Sequence, residues 1–166
     1  MVSAVSRVRT PLAAACLALG LLASPALLPA LAPAAAQEAG RTEPLGIRSR
    51  DAVHRFEVEV MRNDADRMRG LMFRRAMAPD HGMLFDFERS EPIAMWMKNT
   101  YLPLDMLFIR ADGTVARIAA DTEPLSTAVI QSPEPVLSVL ELNAGTAAKL
   151  GLKVGDRVEH PLFKAR

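Results

Sequence analysis

Five side chains of this sequence stand where chemistry could be done: Arg69, Trp96, Lys98, Asn99 and Asp105. Four of them fall in the apolar stretch Met95-Trp96-Met97-Lys98-Asn99-Thr100 and the following Pro103-Leu104-Asp105-Met106. Leaving a polar group unpartnered in such surroundings costs about 1–3 kcal/mol, so these residues need a partner or a task. An indole beside an ammonium can stack on the flat face of a sugar or ring while the cation takes an anionic group. Arg69 adds a bidentate contact to a carboxylate or phosphate, and Asp105 can accept from Lys98, Asn99 or Arg69. The competing reading is structural: Trp96 lies in the core, Lys98 pairs with Asp86 or Asp105, and Arg69 pairs with Glu141 or Asp86.

A second chemistry is soft-metal binding. Eight methionines fall between Met61 and Met106. Met95 and Met97, with nitrogen from His81, would offer Cu(I) the thioether ligands that it accepts. Met72, Met83 and Met106 fit core positions instead. Hydrolytic chemistry has little support: His54, His81 and His160 stand in no nucleophile-elbow or zinc-protease context, and there is no glycine-rich phosphate loop. Carboxylate pairs such as Asp86 and Glu88 are common on any strand. The sequence therefore leans toward a non-catalytic protein, and it implies no cofactor.

The elements that must position these residues are mostly strands. His54–Val60 alternates with period two, placing Phe56, Val58 and Val60 on one face. Asn63 or Asp64 caps a short helix through Leu71, with Met68, Leu71 and Met72 as its inward stripe. Strands are expected over 83–87, 93–99, 104–110, 114–118, 136–142 and 157–159, with Asp112-Gly113 as a hairpin turn. A second helix, capped by Asn143 or Thr146, stops at Gly151. Regular alternation over 93–99 would set Met95, Met97 and Asn99 against Trp96, Lys98 and Thr100. Seven strands and two short helices predict a mainly β, compact sandwich or barrel.

Before this domain, Arg7 and Arg9 precede an apolar run over 12–31 and the small-residue site Ala34-Ala35-Ala36. This is the pattern of a secretory signal peptide over residues 1–36, cleaved before Gln37. A retained anchor is the alternative, but Pro25, Pro29 and Pro33 interrupt the run, so no stable membrane insertion is expected after cleavage. Residues 37–46 read as a flexible tether, and 47–162 as a single domain. Removing 36 residues from 166 leaves 130, enough for a real core. Cys16, the single cysteine, lies in the leader, so the processed chain would hold no thiol and no disulfide. Loss of Arg7 and Arg9 leaves 18 basic and 19 acidic side chains, which with few aromatics argues against nucleic acid as a partner.

Several segments together carry a family resemblance: Phe56-Glu57-Val58-Glu59-Val60, Arg69-Gly70-Leu71-Met72-Phe73-Arg74, Gly82-Met83-Leu84-Phe85-Asp86-Phe87, Trp96-Met97-Lys98-Asn99-Thr100, Pro103-Leu104-Asp105, and Val139-Leu140-Glu141-Leu142 followed by Ala144-Gly145 and Gly155-Asp156. In this order they resemble the domain of unknown function 192 family, also called uncharacterised protein family 0127. Met95 stands where that family commonly has an aromatic residue. The resemblance implies a β-rich, jelly-roll-like sandwich, often exported, with no established activity. The expected protein is thus a periplasmic or secreted binding or accessory domain for a small molecule, an envelope saccharide or a protein, acting through Arg69, Trp96, Lys98, Asn99 and Asp105. A Cu(I)-binding protein and an envelope enzyme are the alternatives.

Overall fold

In the computed structural model, residues 41–50 and 52–164 are described, all within the compact unit Ala36–Arg166. The leader and Cys16 lie outside the described residues. Nine strands follow in chain order: β1 Thr42–Arg48, β2 Val53–Met61, β3 His81–Glu91, β4 Ala94–Met95, β5 Leu104–Ile109, β6 Val115–Thr122, β7 Ile130–Gln131, β8 Val136–Asn143 and β9 Arg157–Glu159. Two short helices accompany them, α1 Asp64–Arg69 and α2 Thr146–Leu150. The expected mainly β architecture is what forms.

Seven strands make one curled sheet in the order β6-β5-β8-β3-β2-β1-β9, and β4 with β7 makes a small second ladder. All pairings in the large sheet are antiparallel except β2 with β3, which the segment containing α1 connects. The curl brings β9 back to the start of β6. There Val115 N–H donates to Asp156 at 2.9 Å, Gly155 N–H to Val115 at 2.9 Å and Val158 N–H to Gly113 at 2.8 Å. Gly113 turns at φ 87, which admits glycine without strain, and Asp112 Oδ1 holds the turn by accepting Thr114 N–H at 2.9 Å.

Strand alternation builds two cores, one on each face of β3, β8 and β5. Leu84, Leu107, Ile109, Leu140 and Leu142 join Ile47, Phe56 and Val58 inside the curl. Met83, Phe85, Met106, Phe108 and Val139 face the other way and are covered by Leu71, Ile93 and Met97 from the connecting segments. Consequently β5 is buried along its whole length. Gly82 is required where β3 meets β8, since a Cβ there would stand 2.8 Å from the Glu141 carbonyl oxygen.

Four local expectations are corrected. The tether assigned to 37–46 gives way to β1 from Thr42, which pairs with β2 along its full length. Residues 93–99 are not a strand: only Ala94–Met95 is extended in a ladder, because Thr100 N–H turns back onto Met97 O at 3.0 Å and Asn99 takes φ 57. The first helix ends at Arg69 rather than Leu71, capped by Gly70 with φ 46 and started by Asn63, whose side chain accepts Asp66 N–H. Neither Asn143 nor Thr146 caps the second helix; Gly145 occupies that position.

Candidate functional site

The turn over Trp96–Thr100 lies against the end of α1 and the outer face of β3 and β8, and between them is a cleft of about 540 Å³. Arg69, Trp96, Lys98 and Asn99 all line it. Trp96 remains 48% exposed, so it is not a core residue, and the Lys98 ammonium lies 5.1 Å from its ring centroid. The expected grouping by strand parity is overturned with the strand itself: Met97 and Thr100 are buried, while Trp96 and Lys98 reach solvent.

Asp105 is not brought to this cleft. Register explains why: it faces Leu142 across β5 and β8, on the inner side, while its neighbour Met106 faces Glu141 on the outer side. Fully buried, Asp105 accepts Asp121 N–H at 2.9 Å and Ala147 N–H at 2.8 Å. The first bond fixes the bulge where β5 and β6 slip register and Asp121 turns to φ 49. The second caps α2 from a distant strand. Each carboxyl oxygen thus takes one backbone N–H, so the role of Asp105 is structural.

Glu141 reads in the sequence as a partner for Arg69 and as part of a family segment, and the pairing does not form. It is the residue that changes the character of the cleft. Its side chain is 4% exposed, lines the cleft, and has no hydrogen-bond or ion-pair partner among the described residues. Cross-strand neighbours Met83 and Met106 flank it. Burial alone raises its pKa to about 8, so the carboxyl is largely neutral at pH 7 and can donate a hydrogen bond. An acidic residue on the buried parity of Leu137, Val139 and Glu141 was the available signal in the sequence.

The loops around the cleft carry backbone strain. Phe73 and Leu125 have φ of 66 and 63, a left-handed conformation that bulky side chains rarely adopt, while Asn99, at φ 57, is a residue that tolerates it. They are held by one another's neighbourhoods: Phe73 N–H donates to Asn99 O at 2.9 Å, Leu125 N–H to Thr100 O at 3.0 Å, and Met97 N–H to Ser126 O at 3.0 Å. Phe73 and Leu125 are both exposed, so their conformation is not forced by packing their side chains in a core. Such clusters concentrate at functional sites.

Other candidates are less complete. Met95 lines the cleft, but Met97 is buried with its sulfur accepting the Thr122 hydroxyl at 3.2 Å, and His81 pairs with Asp80 at the start of β3. The structure therefore does not gather Met95, Met97 and His81 around the cleft. A second cavity of about 530 Å³ is lined by Arg62, Glu43, Arg74 and Glu59, whose charges pair bidentately with one another. Among the described residues no helix is long and apolar enough to cross a membrane.

A curled β domain with a recessed, partly apolar cleft and a buried acid inside it is the class that this geometry defines. The chain belongs to the DUF192 family, described as uncharacterized ACR, COG1430, which it matches over residues 45–160. A solved protein from Sinorhizobium meliloti 1021, named as a candidate transcription regulator (R01717), is 53% identical; the match covers 71% of this chain and 92% of that one, with a TM-score of 0.70. A protein of unknown function from Novosphingobium aromaticivorans DSM 12444 is 37% identical over 79% of this chain and 94% of its own, with a TM-score of 0.72. Among curated proteins none matches the chain significantly.

Proposed function

We propose that this protein is an exported, non-catalytic binding domain that takes a small ligand into the cleft between α1 and the Trp96–Thr100 turn. The observation that carries the reading is Glu141, a buried carboxyl with no hydrogen-bond or ion-pair partner among the described residues, in a lining it shares with the exposed Trp96 and Lys98. A ligand that hydrogen-bonds Glu141 recovers part of the roughly 1–3 kcal/mol lost by burying it alone. The cleft volume falls within the range of about 300–1,000 Å³ common for small-molecule sites. Export is supported by Arg7, Arg9, the apolar run and the Ala34-Ala35-Ala36 site.

The regulator name of the S. meliloti chain finds little support in the charge distribution here. Arg48, Arg62, Arg67, Arg74 and Arg110 are each tied to an acidic side chain rather than presented as a basic stripe.

Trp96 is the sole tryptophan of the sequence, so intrinsic fluorescence reports the cleft directly. In a screen of small molecules, true ligands raise Tm and shift this emission together, because they bind the folded state alone. Ligands that raise Tm without touching Trp96, and that bind the Glu141→Leu and Trp96→Phe variants unchanged, would refute the cleft. N-terminal sequencing of the protein from its native cell should begin at Gln37, and an intact Met1 in the cytoplasmic fraction would refute export.

A further inference from the structure

Resting on the reading of the cleft as a binding site, we infer that its ligand is an amphipathic organic carboxylate: a flat apolar body with the anionic group at one end and a hydroxyl or carbonyl at the other. Three features of the lining lead there.

The first is charge. Among the ionisable groups lining the cleft, Arg67 is committed to Asp64 and Glu88. Arg69 and Lys98 are exposed at the mouth and have no acidic partner among the described residues. The acid inside is nearly buried, and burial raises its pKa to about 8, so it carries little negative charge at pH 7. The mouth is therefore net positive, which repels a cation and favours an anion.

The second is the scarcity of polar partners on the walls. Leu71, Met72, Phe85, Phe87, Met95 and Trp96 supply thioether, aliphatic and aromatic surface. Asn99 and Thr100 are the neutral amide and hydroxyl groups of the lining, and each has one bond within the chain: Asn99 Nδ2 lies 3.9 Å from Met72 Sδ, and Thr100 Oγ1 donates to Lys98 O at 3.3 Å. A saccharide brings a ring of hydroxyls, and each one left without a partner costs about 1–3 kcal/mol. An aromatic or aliphatic body has no such debt, and its burial is favourable at about 25 cal/mol per Å².

The third is the position of Glu141. It is a buried carboxyl in the lining with no hydrogen-bond partner among the described residues, so a single acceptor or hydroxyl at the inner end of the ligand meets it while the carboxylate stays with Arg69 and Lys98.

The probes are para-hydroxyphenylpropanoate, which has all three features; phenylpropanoate, which lacks the hydroxyl; para-hydroxyphenylpropanol, which lacks the charge; tyramine, which reverses it; and galacturonate, an anionic sugar. Trp96 fluorescence and calorimetry on the full-length processed protein should rank the first probe tightest. The neutral alcohol should bind about tenfold more weakly, equivalent to about 1.4 kcal/mol, and tyramine more weakly still. Lys98→Met and Arg69→Gln, both surface changes, should each weaken the carboxylate several-fold and leave the alcohol unchanged. Glu141→Leu should erase the difference between the hydroxylated and plain propanoates, and Glu141→Gln should retain it.

Equal binding of alcohol and carboxylate, or tighter binding of tyramine or galacturonate, overturns the inference and leaves the cleft intact as a site. Failure of all five probes to move Trp96 also overturns it. The screen described above then decides separately whether the cleft binds anything.

Discussion

Replacing Glu141 by glutamine should make this protein more stable in alkaline solution by an amount that can be worked out beforehand. In the folded protein the Glu141 carboxyl titrates at about 8 instead of near 4.5, because burial penalises its charged form. A folded pKa above the unfolded one means that the native state holds the proton more tightly. Stability from this group is therefore fully present below pH 4.5 and lost as pH rises through 8. At 1.36 kcal/mol for each pKa unit, complete ionisation costs the folded state about 5 kcal/mol. Between pH 5 and 8.5 the wild type should lose about 4 kcal/mol relative to Glu141→Gln, a large part of the 5–15 kcal/mol typical of a domain. Guanidinium denaturation of both proteins at half-unit pH steps measures the difference directly.

His160 tests whether the subtraction is sound. Burial lowers its pKa, with Glu43 opposing, so its contribution has the reverse sign: present above its usual 6.5 and lost as pH falls. Being common to both proteins, it cancels in the difference curve. Parallel curves for wild type and Glu141→Gln would show that burial does not perturb the carboxyl, and the cleft would lose the buried acid on which its proposed role rests.

Asp105→Ala should destabilise the fold by about 3 kcal/mol in chemical denaturation, since it orphans Asp121 N–H and Ala147 N–H in a dry site, and it should leave ligand affinity unchanged. Gly82→Ala should cost about 1–3 kcal/mol, because its Cβ meets the Glu141 carbonyl oxygen at 2.8 Å. Leu125→Gly should be neutral to stabilising by about 1 kcal/mol by Tm, although it deletes a leucine, because it releases a left-handed φ of 63 at an exposed position. Trp96 emission should be quenched by iodide in the free protein and protected once the cleft is filled.

What the sequence revealed and what it hid divide along physical lines. β2 was legible because its alternation is set by a single buried face, with Phe56 and Val58 inside. The Trp96–Thr100 segment alternates just as well, yet the decisive terms there are a backbone turn at Asn99 and contacts to residues 70–75 and 123–126, which no local period records. β1 was hidden by Pro44 and Gly46, residues disfavoured within strands. β9 pairs only with Gly46–Arg48, so Pro44 sits on the uncovered part of the edge, where a missing N–H costs little. Of the residues singled out by type, Arg69, Trp96, Lys98 and Asn99 line one cleft. Asp105 was misassigned because type says nothing about which face of a buried strand a carboxylate takes.

The contrast between the two buried acids is the strongest argument that the cleft is a place of function rather than an accident of folding. Asp105 and Glu141 lie on adjacent strands one register position apart, both withdrawn from water. Around Asp105 the chain supplies two backbone N–H groups, using a bulge and a helix start to do so. Around Glu141 it supplies methionines and, among the described residues, no hydrogen-bond donor. A sequence that satisfies one acid so fully had the means to satisfy the other, and leucine at 141 would remove the penalty altogether. The left-handed Phe73 and Leu125 add a second, independent cost in the loops beside the same cleft. Where local rules are broken together at one location, the compensating gain is expected in what that location binds. If Glu141→Leu and Leu125→Gly, combined, stabilise the protein while abolishing every ligand response of Trp96, the two costs serve one site; if binding survives both, they do not.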